Sequence, residues 1–458
     1  MRTYLLLGFL AVLAATSAAC MDAVVTDLSK DAGGDKATPT PEPTGLPATV
    51  TYWKDIRPVM ESKCVECHVA GAVGGFALDT FDKAKSYATA SMSAVEGKRM
   101  PPWPPDPTCR EFKNQRVLSD LDRQLFRAWV DAGTPEGVES DYEARPEIGI
   151  AEAPLGAPSR TLDAGADYTF DVANGPQDLY WCFRLDPGIT APTDFTAADI
   201  VPGNKEIVHH VIVFREANGQ ANATGLPGFQ CDGAPGEFLF AWVPGSGALR
   251  FPEGVGMQLQ PNDRLLMQMH YSKVPTAATQ VDRTQAKLYF AEAPVQERAR
   301  VLWLGTIGID VPAGQTATAT GECQVEGDEP LNVLMTAPHM HKLAVSHKAT
   351  VARNDGSEAC LVDVPRWDFG WQGGYMVKNA FQVMPGETIT TSCTWTNNTA
   401  TDAGFGEGTG DEMCFNFLYV TGNQDVPRYC FPGGALLELA GGFGITASQK
   451  VRPDWLRP

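Results

Sequence analysis

Val333-Leu334-Met335-Thr336-Ala337-Pro338-His339-Met340-His341-Lys342-Leu343-Ala344-Val345 is the stretch on which the reading of this 458-residue chain turns. Apolar, β-type residues flank a His-x-His pair, and side chains at i and i+2 of a strand point the same way. Two neutral imidazoles on one face are half of a copper or zinc site. The chain has seven histidines, and six of them fall in compact motifs. These are Cys64-Val65-Glu66-Cys67-His68, Val208-His209-His210-Val211 with Met269-His270-Tyr271, and the His339/His341 pair. Such clustering points to metal binding.

The β character of that stretch extends to its surroundings. From about residue 155 short β-rich runs alternate with Gly, Pro, Asn and Asp turns, as in 206–214, 265–271 and 415–420. Some 300 residues of this kind suggest two β-sandwiches of jelly-roll type, with a boundary at Ala291-Glu292-Ala293-Pro294. The first spans 155–293 and the second 294–458. His209 and His210 are adjacent, so in a regular strand they face opposite ways; both reach one metal only through a bulge or distortion. With His270 they make a three-imidazole site. Gly410-Asp411-Glu412-Met413-Cys414 offers a thioether to His339 and His341, and that donor set favours copper over zinc.

Upstream the pattern is helical. Tyr52-Trp53-Lys54-Asp55-Ile56-Arg57-Pro58-Val59-Met60 leads into Cys64-x-x-Cys67-His68, the signature of c-type haem attachment, two thiols for the vinyl groups and an adjacent axial histidine. A bare Cys-x-x-Cys redox pair or half a zinc site is the competing reading. Met100 in Arg99-Met100-Pro101-Pro102-Trp103 is the candidate sixth ligand; Met60 and Met92 are rivals placed in helix-like runs. From Ser119, Leu121, Leu125, Phe126, Trp129 and Val130 mark a helix ending near Gly133. The region 51–145 resembles small mono-haem cytochrome c domains, which implies that Cys64, Cys67, His68 and Met100 hold one haem c.

The N-terminus sets the compartment. Met1-Arg2, an apolar run to Ala15 and Thr16-Ser17-Ala18-Ala19-Cys20 read as a signal peptide over 1–20. The cysteine resembles a lipobox acceptor, so Cys20 carries lipid, or plain cleavage occurs; either way the chain is exported, to the periplasm or as an outer-membrane-anchored lipoprotein of a bacterium. Residues 21–50 are a polar, Pro-rich linker. A formal net charge of −19 with no concentrated basic run argues against a nucleic-acid partner, and a membrane enters only through the lipid anchor. Eleven cysteines leave eight for disulfides once Cys20, Cys64 and Cys67 are assigned.

Taken together, His209-His210, Gln268-Met269-His270-Tyr271, His339-Met340-His341 and Glu412-Met413-Cys414 resemble, in order and spacing over about 160–435, the copper type II, ascorbate-dependent monooxygenases, the group of peptidylglycine α-hydroxylating and dopamine β-monooxygenases. The resemblance implies two copper ions facing each other across an open, solvent-filled cleft. His209, His210 and His270 would hold the electron-transfer copper, and His339, His341 and Met413 the one that binds O₂. It also implies bridges Cys182–Cys231, Cys323–Cys430 and Cys393–Cys414, leaving Cys109 and Cys360, which pair with each other if they pair at all. Gln268 would hydrogen-bond behind His270. The implied reaction is hydroxylation of a C–H bond in a small molecule, with two electrons from an ascorbate-like reductant or a redox protein, here the fused haem. The chain departs from the peptidylglycine enzymes at Ala337, where they carry arginine, and at Phe415 and Phe417, where they carry Asn and Tyr. A peptidylglycine substrate is therefore not expected, and a more apolar pocket is. The competing class is a non-enzymatic copper and haem electron carrier or copper-binding lipoprotein, with zinc at one site a third possibility. His347 reads as a surface or core histidine, the run Arg366-Trp367-Asp368-Phe369-Gly370-Trp371 as packing between sheets rather than a cleft lining, and Asp411-Glu412 as turn chemistry.

Overall fold

The computed structural model describes residues 45–432 except 66, 71–73, 114, 145–154, 172–173, 177, 217–224, 232–235, 244–245, 273–278, 407 and 409. The leader, Cys20 and nearly all of the linker lie outside the described residues. The described chain is mostly β-sheet with a few short helices near its start. None of those helices is long and apolar enough to cross a membrane.

A π-helical turn over Tyr52–Ile56 runs into α1 (Arg57–Lys63), where Pro58 sits in the first turn without costing a hydrogen bond. Then follow α2 (Phe81–Ser86), α3 (Ala88–Glu96) and α4 (Asp120–Asp131). α4 begins where its cap chemistry dictates. The Ser119 hydroxyl accepts from the Asp122 N–H at 3.0 Å, and the Asp122 carboxylate accepts from the Ser119 N–H at 3.2 Å. Its apolar face, Leu125, Phe126 and Trp129, closes a small core with Tyr52, Ile56 and Met60. Met60 is thus core, fully buried.

Two five-stranded antiparallel sheets hold the rest together. The first runs Gly225–Gln230, Asp178–Leu185, Arg264–Ser272, Val208–Glu216, Glu237–Trp242 in spatial order. The second contains Tyr375–Val383, Leu331–His339, Cys414–Gly422, Arg300–Thr306 and Tyr429–Cys430, the last pairing in parallel. Each is backed by a second sheet. Around Thr193–Val201 and Gln285–Phe290 it covers the first, and around Thr388–Thr396 and Ala344–Ala352 the second. Thr388–Thr396 shows the half-buried alternation plainly, with Ile389, Thr391, Cys393 and Trp395 inside. By contrast Arg264–Ser272 and Cys414–Gly422 are buried on both faces, because the two five-stranded sheets also meet each other. Phe238 stacks on Phe417 with centroids 5.3 Å apart, and the Tyr419 hydroxyl donates to Leu239 O at 2.9 Å. One apolar cluster accordingly runs from Phe170 to Phe431.

Four disulfides pin this arrangement: Cys182–Cys231, Cys323–Cys430, Cys393–Cys414 and Cys109–Cys360. The last ties the segment between α3 and α4 to the β-rich part. Around it Arg110 donates to Cys360 O, Asp106 N–H to Asp363 O, and Lys113 N–H to Met376 O.

Candidate metal centres

The first centre forms at a bulge. His270 pairs with His210 across the strands, but the next residue, Tyr271, pairs with Val208, so His209 is an extra residue in the ladder. That bulge is how two adjacent histidines come to one point. His210 Nδ1 lies 3.3 Å from His209 Nδ1 and 3.2 Å from His270 Nδ1. The three are the one group of His, Cys, Asp or Glu side chains with metal-ligand convergence among the described residues, all ligand atoms within 4.8 Å. For metal–nitrogen bonds of about 2.0 Å those separations subtend roughly 105–110°, an ordinary coordination angle.

The tautomer is set from behind. His270 Nε2 lies 3.0 Å from Asp178 Oδ1, so Nε2–H donates to the carboxylate and Nδ1 keeps its lone pair. Asp178 reaches that position because it opens the strand that pairs with the His270 strand, Tyr180 opposite His270. Gln268 does not play the supporting role expected of it. Its amide donates to Cys231 O at 3.1 Å, and both His270 nitrogens are taken by His210 and Asp178. The disulfide that brings Cys231 beside Cys182, the residue opposite Gln268, explains the diversion.

At the second centre the histidines present the other nitrogen. His339 Nδ1–H donates to Gln372 Oε1 at 2.7 Å, and His341 Nδ1–H to the Asp411 carbonyl at 3.0 Å. Both Nε2 atoms therefore carry the free lone pair. His339 lies opposite Phe415, and the residues just before Phe415 bend around His341. The fully buried Glu412 accepts from the His341 and Leu343 N–H groups and from Trp395 Nε1–H, at 3.0, 2.6 and 2.7 Å. Met413 is buried and sits between Glu412 and Cys414, which opens the strand that carries Phe415. Glu412, expected as turn chemistry, is a buried clamp on the backbone at His341 and Leu343. Burial pushes its carboxyl up against the pull of those donors.

Burial also keeps the imidazoles neutral. It draws His270 down to about 4 and His339 to about 3, with neighbouring histidines adding to the fall. His209 and His341 are lowered and His210 is well below its ordinary value, burial being the main cause each time. Five neutral, oriented lone pairs suit a transition metal.

The open, solvent-filled cleft expected between the centres is not observed. Phe369 occupies the space, its ring stacked 6.3 Å from His209 and edge-on 6.2 Å from His341. The run 366–372 is therefore site-forming, correcting its reading as inter-sheet packing. Trp367 does pack into the core, but Phe369 separates the centres, Trp371 faces a cavity, and Gln372 holds His339. His347 is a buried core residue whose Nε2–H donates to Phe415 O at 3.1 Å.

In the helical region Cys64 and Cys67 are the cysteines outside any disulfide among the described residues, all others being bridged. His68 is buried, and its Nδ1–H donates to Phe76 O at 3.1 Å, leaving Nε2 to ligate. A Cβ on Gly74 would stand 2.5 Å from His68 Nδ1, so glycine is required beside the motif. This donor set fits a thioether-linked haem. Met100 follows α3, its N–H bonded to Ala94 O, in a loop whose Gly97 and Lys98 carbonyls accept from the Arg366 guanidinium.

Residues 297–434, which include His339, His341 and Met413, match the family described as copper type II ascorbate-dependent monooxygenase, C-terminal domain. The chain is 26% identical over 317 residues to a dopamine beta-hydroxylase of Canis lupus familiaris, covering 63% of this chain and 49% of that one. Over 327 residues it is 27% identical to a tyramine beta-hydroxylase of Caenorhabditis briggsae, covering 66% and 49%. It thus spans about half the length of the curated relatives it matches. Among solved structures, a peptide-N(4)-(N-acetyl-beta-D-glucosaminyl) asparagine amidase aligns over 59% of this chain and 98% of its own at 12% identity, with a TM-score of 0.26, too low to bear on fold or function.

Proposed function

We propose that this chain is an exported, copper-dependent monooxygenase that hydroxylates a C–H bond of a small organic molecule with O₂, taking electrons through a covalently attached haem c. One copper is held by His209, His210 and His270 within 155–293, the other by His339, His341 and Met413 within 294–458. Cys64 and Cys67 anchor the haem, with His68 and Met100 as its axial ligands. The observation that carries the reading is the pair of oriented imidazole groups on either side of Phe369, the second inside a segment matching a copper monooxygenase family.

Copper supplies one-electron transfer at the first site and O₂ binding at the second, where a soft thioether favours the reduced ion. The chain's own residues do the rest. Asp178, Gln372 and the Asp411 carbonyl fix which nitrogen of His270, His339 and His341 is presented. Phe417 packs beside His339 and Phe369 beside His341, apolar rings that would keep water from the site.

Residues 366–372 support electron entry from the haem. Arg366 holds the loop that ends in Met100, Phe369 touches both histidine groups, and Gln372 bonds His339. Export rests on the leader 1–20, with Cys20 as the lipid site of a periplasmic or outer-membrane-anchored lipoprotein.

Purified protein is expected to contain two copper ions and one haem per chain. Under a reductant it is expected to consume O₂ and incorporate one ¹⁸O from ¹⁸O₂ into product. Reversible redox chemistry of both metals with no O₂-coupled product across a substrate screen would assign it instead as an electron carrier.

A further inference from the structure

A cavity of about 190 Å³ lies where the helical region's following segment meets both halves of the β-rich part. An apolar cavity of about 150 Å³ takes a benzene ring, so this one has room for a single ring with a short substituent. Its walls are aromatic, with Trp103, Trp371, Tyr375 and Tyr419 among them. It adjoins the second metal centre through Gln372, which lines it and also accepts from His339. Along the same sheet face Met335, Ala337 and His339 follow at alternate positions opposite Tyr419, Phe417 and Phe415. Met335 and Tyr419 line the cavity, His339 lies at the metal, and the small Ala337 stands between.

The charge of the cavity opposes that of the molecule. In a chain of net charge −19, three basic residues and no Asp or Glu occur among the described lining residues. Arg250, also in the wall, lies near the Asp199 carboxylate, whose pKa burial raises against the pull of Lys287 and Arg250. Lys113 and Arg116 come from the segment after α3, and Arg116 lies close enough to Tyr375 to act on its hydroxyl. That segment is fixed rather than draped. The Cys109–Cys360 bridge, the Phe112–Val377 bridge pair and the Lys113 N–H bond to Met376 O all hold it to the sheet. Trp103 in the same wall has a buried Nε1–H without an acceptor among the described residues.

We infer that this cavity binds the substrate, and that the substrate is a small aromatic acid whose anionic group is held by Lys113 and Arg116 while its ring lies among Trp103, Trp371 and Tyr419. The inference rests on the copper reading for what happens to the bound molecule, but the binding itself does not need copper. The N-terminal region would then supply one wall of the substrate pocket, with two of its three basic residues, as well as electrons. Guanidinium and ammonium groups in a partly enclosed site favour a carboxylate over a neutral isostere. They disfavour an amine by the same interaction.

Three near-isosteres separate these cases: 4-hydroxyphenylacetate, 4-hydroxyphenylacetamide and tyramine. Binding is read by tryptophan fluorescence and calorimetry on the full-length protein, with copper and after its removal by chelation. The acid is expected to bind at least tenfold more tightly than the amide, with tyramine weakest, and with the same order in both forms. Lys113→Gln with Arg116→Gln is expected to remove that tenfold preference. Raising the salt on the unaltered protein should weaken the acid alone, which keeps the test independent of whether the double variant folds. Equal or tighter binding of tyramine or the amide overturns the inference, as does inorganic phosphate competing as well as the acid. Acid binding without any hydroxylated product leaves the pocket assignment standing and counts against the copper reading alone.

Discussion

The two metal centres differ in which nitrogen they offer and in what stands behind it. The three-histidine group presents Nδ1 atoms, with a carboxylate, Asp178, behind one of them. The His339/His341 group presents Nε2 atoms backed by neutral oxygens, the Gln372 amide and the Asp411 carbonyl, and Met413 is the thioether proposed for it. An anionic support raises the basicity of its imidazole and stabilises the higher charge of a metal, while neutral supports and a soft sulfur do the opposite. On the proposed copper reading, one fold would build a centre suited to cycling its charge and a centre suited to staying reduced until O₂ arrives. The lesson is that two sites of similar composition are distinguished by residues that never touch the metal.

The largest effect should come from His210, the middle of its cluster. His210→Ala is expected to remove one copper and keep the other, with metal affinity at that site reduced at least a hundredfold, read by metal analysis and electron paramagnetic resonance. Met413→Leu should keep both coppers while weakening Cu(I) relative to Cu(II) at the second site, cutting turnover by about a hundredfold. If both ions leave together in either variant, the two centres are not independent and the comparison fails. Asp178→Asn and Gln372→Ala sharpen it, each expected to cost about 10- to 100-fold in affinity at its own centre only. Phe369→Leu, which alters the partition and neither ligand set, should slow electron exchange between the centres by no more than about tenfold, followed by stopped-flow reduction.

A last prediction concerns stability rather than the metals. His347 is buried with a pKa drawn down to about 4, against about 6.5 in an unfolded chain. Between those values the unfolded chain binds more protons, so stability is complete above pH 6.5 and falls as the pH drops toward 4. The loss amounts to about 3 kcal/mol. In His347→Gln, which keeps a donor for Phe415 O, the difference in urea midpoint between pH 7 and pH 4.5 should shrink, measured on copper-free protein.

Much of this was legible in the residues themselves. Motifs name their own ligands, so His209, His210, His270, His339 and His341 stood out. The adjacency of His209 and His210 already demanded the bulge that the pairing of Tyr271 with Val208 displays. Ser119 and the apolar spacing after it marked α4. The supporting residues were not legible, because sheet register rather than sequence distance brings them in. Asp178 lies 92 positions from His270 and Gln372 lies 33 from His339. An acidic residue opening the largely apolar strand Asp178–Leu185 was the available clue. Gln268 was misread because proximity in sequence is a poor guide to which amide a strand neighbour will claim. The run 366–372 was misread because aromatic content alone does not separate a core face from a site wall.

The bridge between Cys109 and Cys360 spans 251 positions. During synthesis Cys109 exists long before its partner, and for that interval the nearest thiols are those of Cys64 and Cys67. On the proposed haem reading, capturing those two in thioether bonds would withdraw the competitors and protect the later, correct oxidation. The same event that readies the chain for electrons would thereby guard its assembly against a mispaired cysteine.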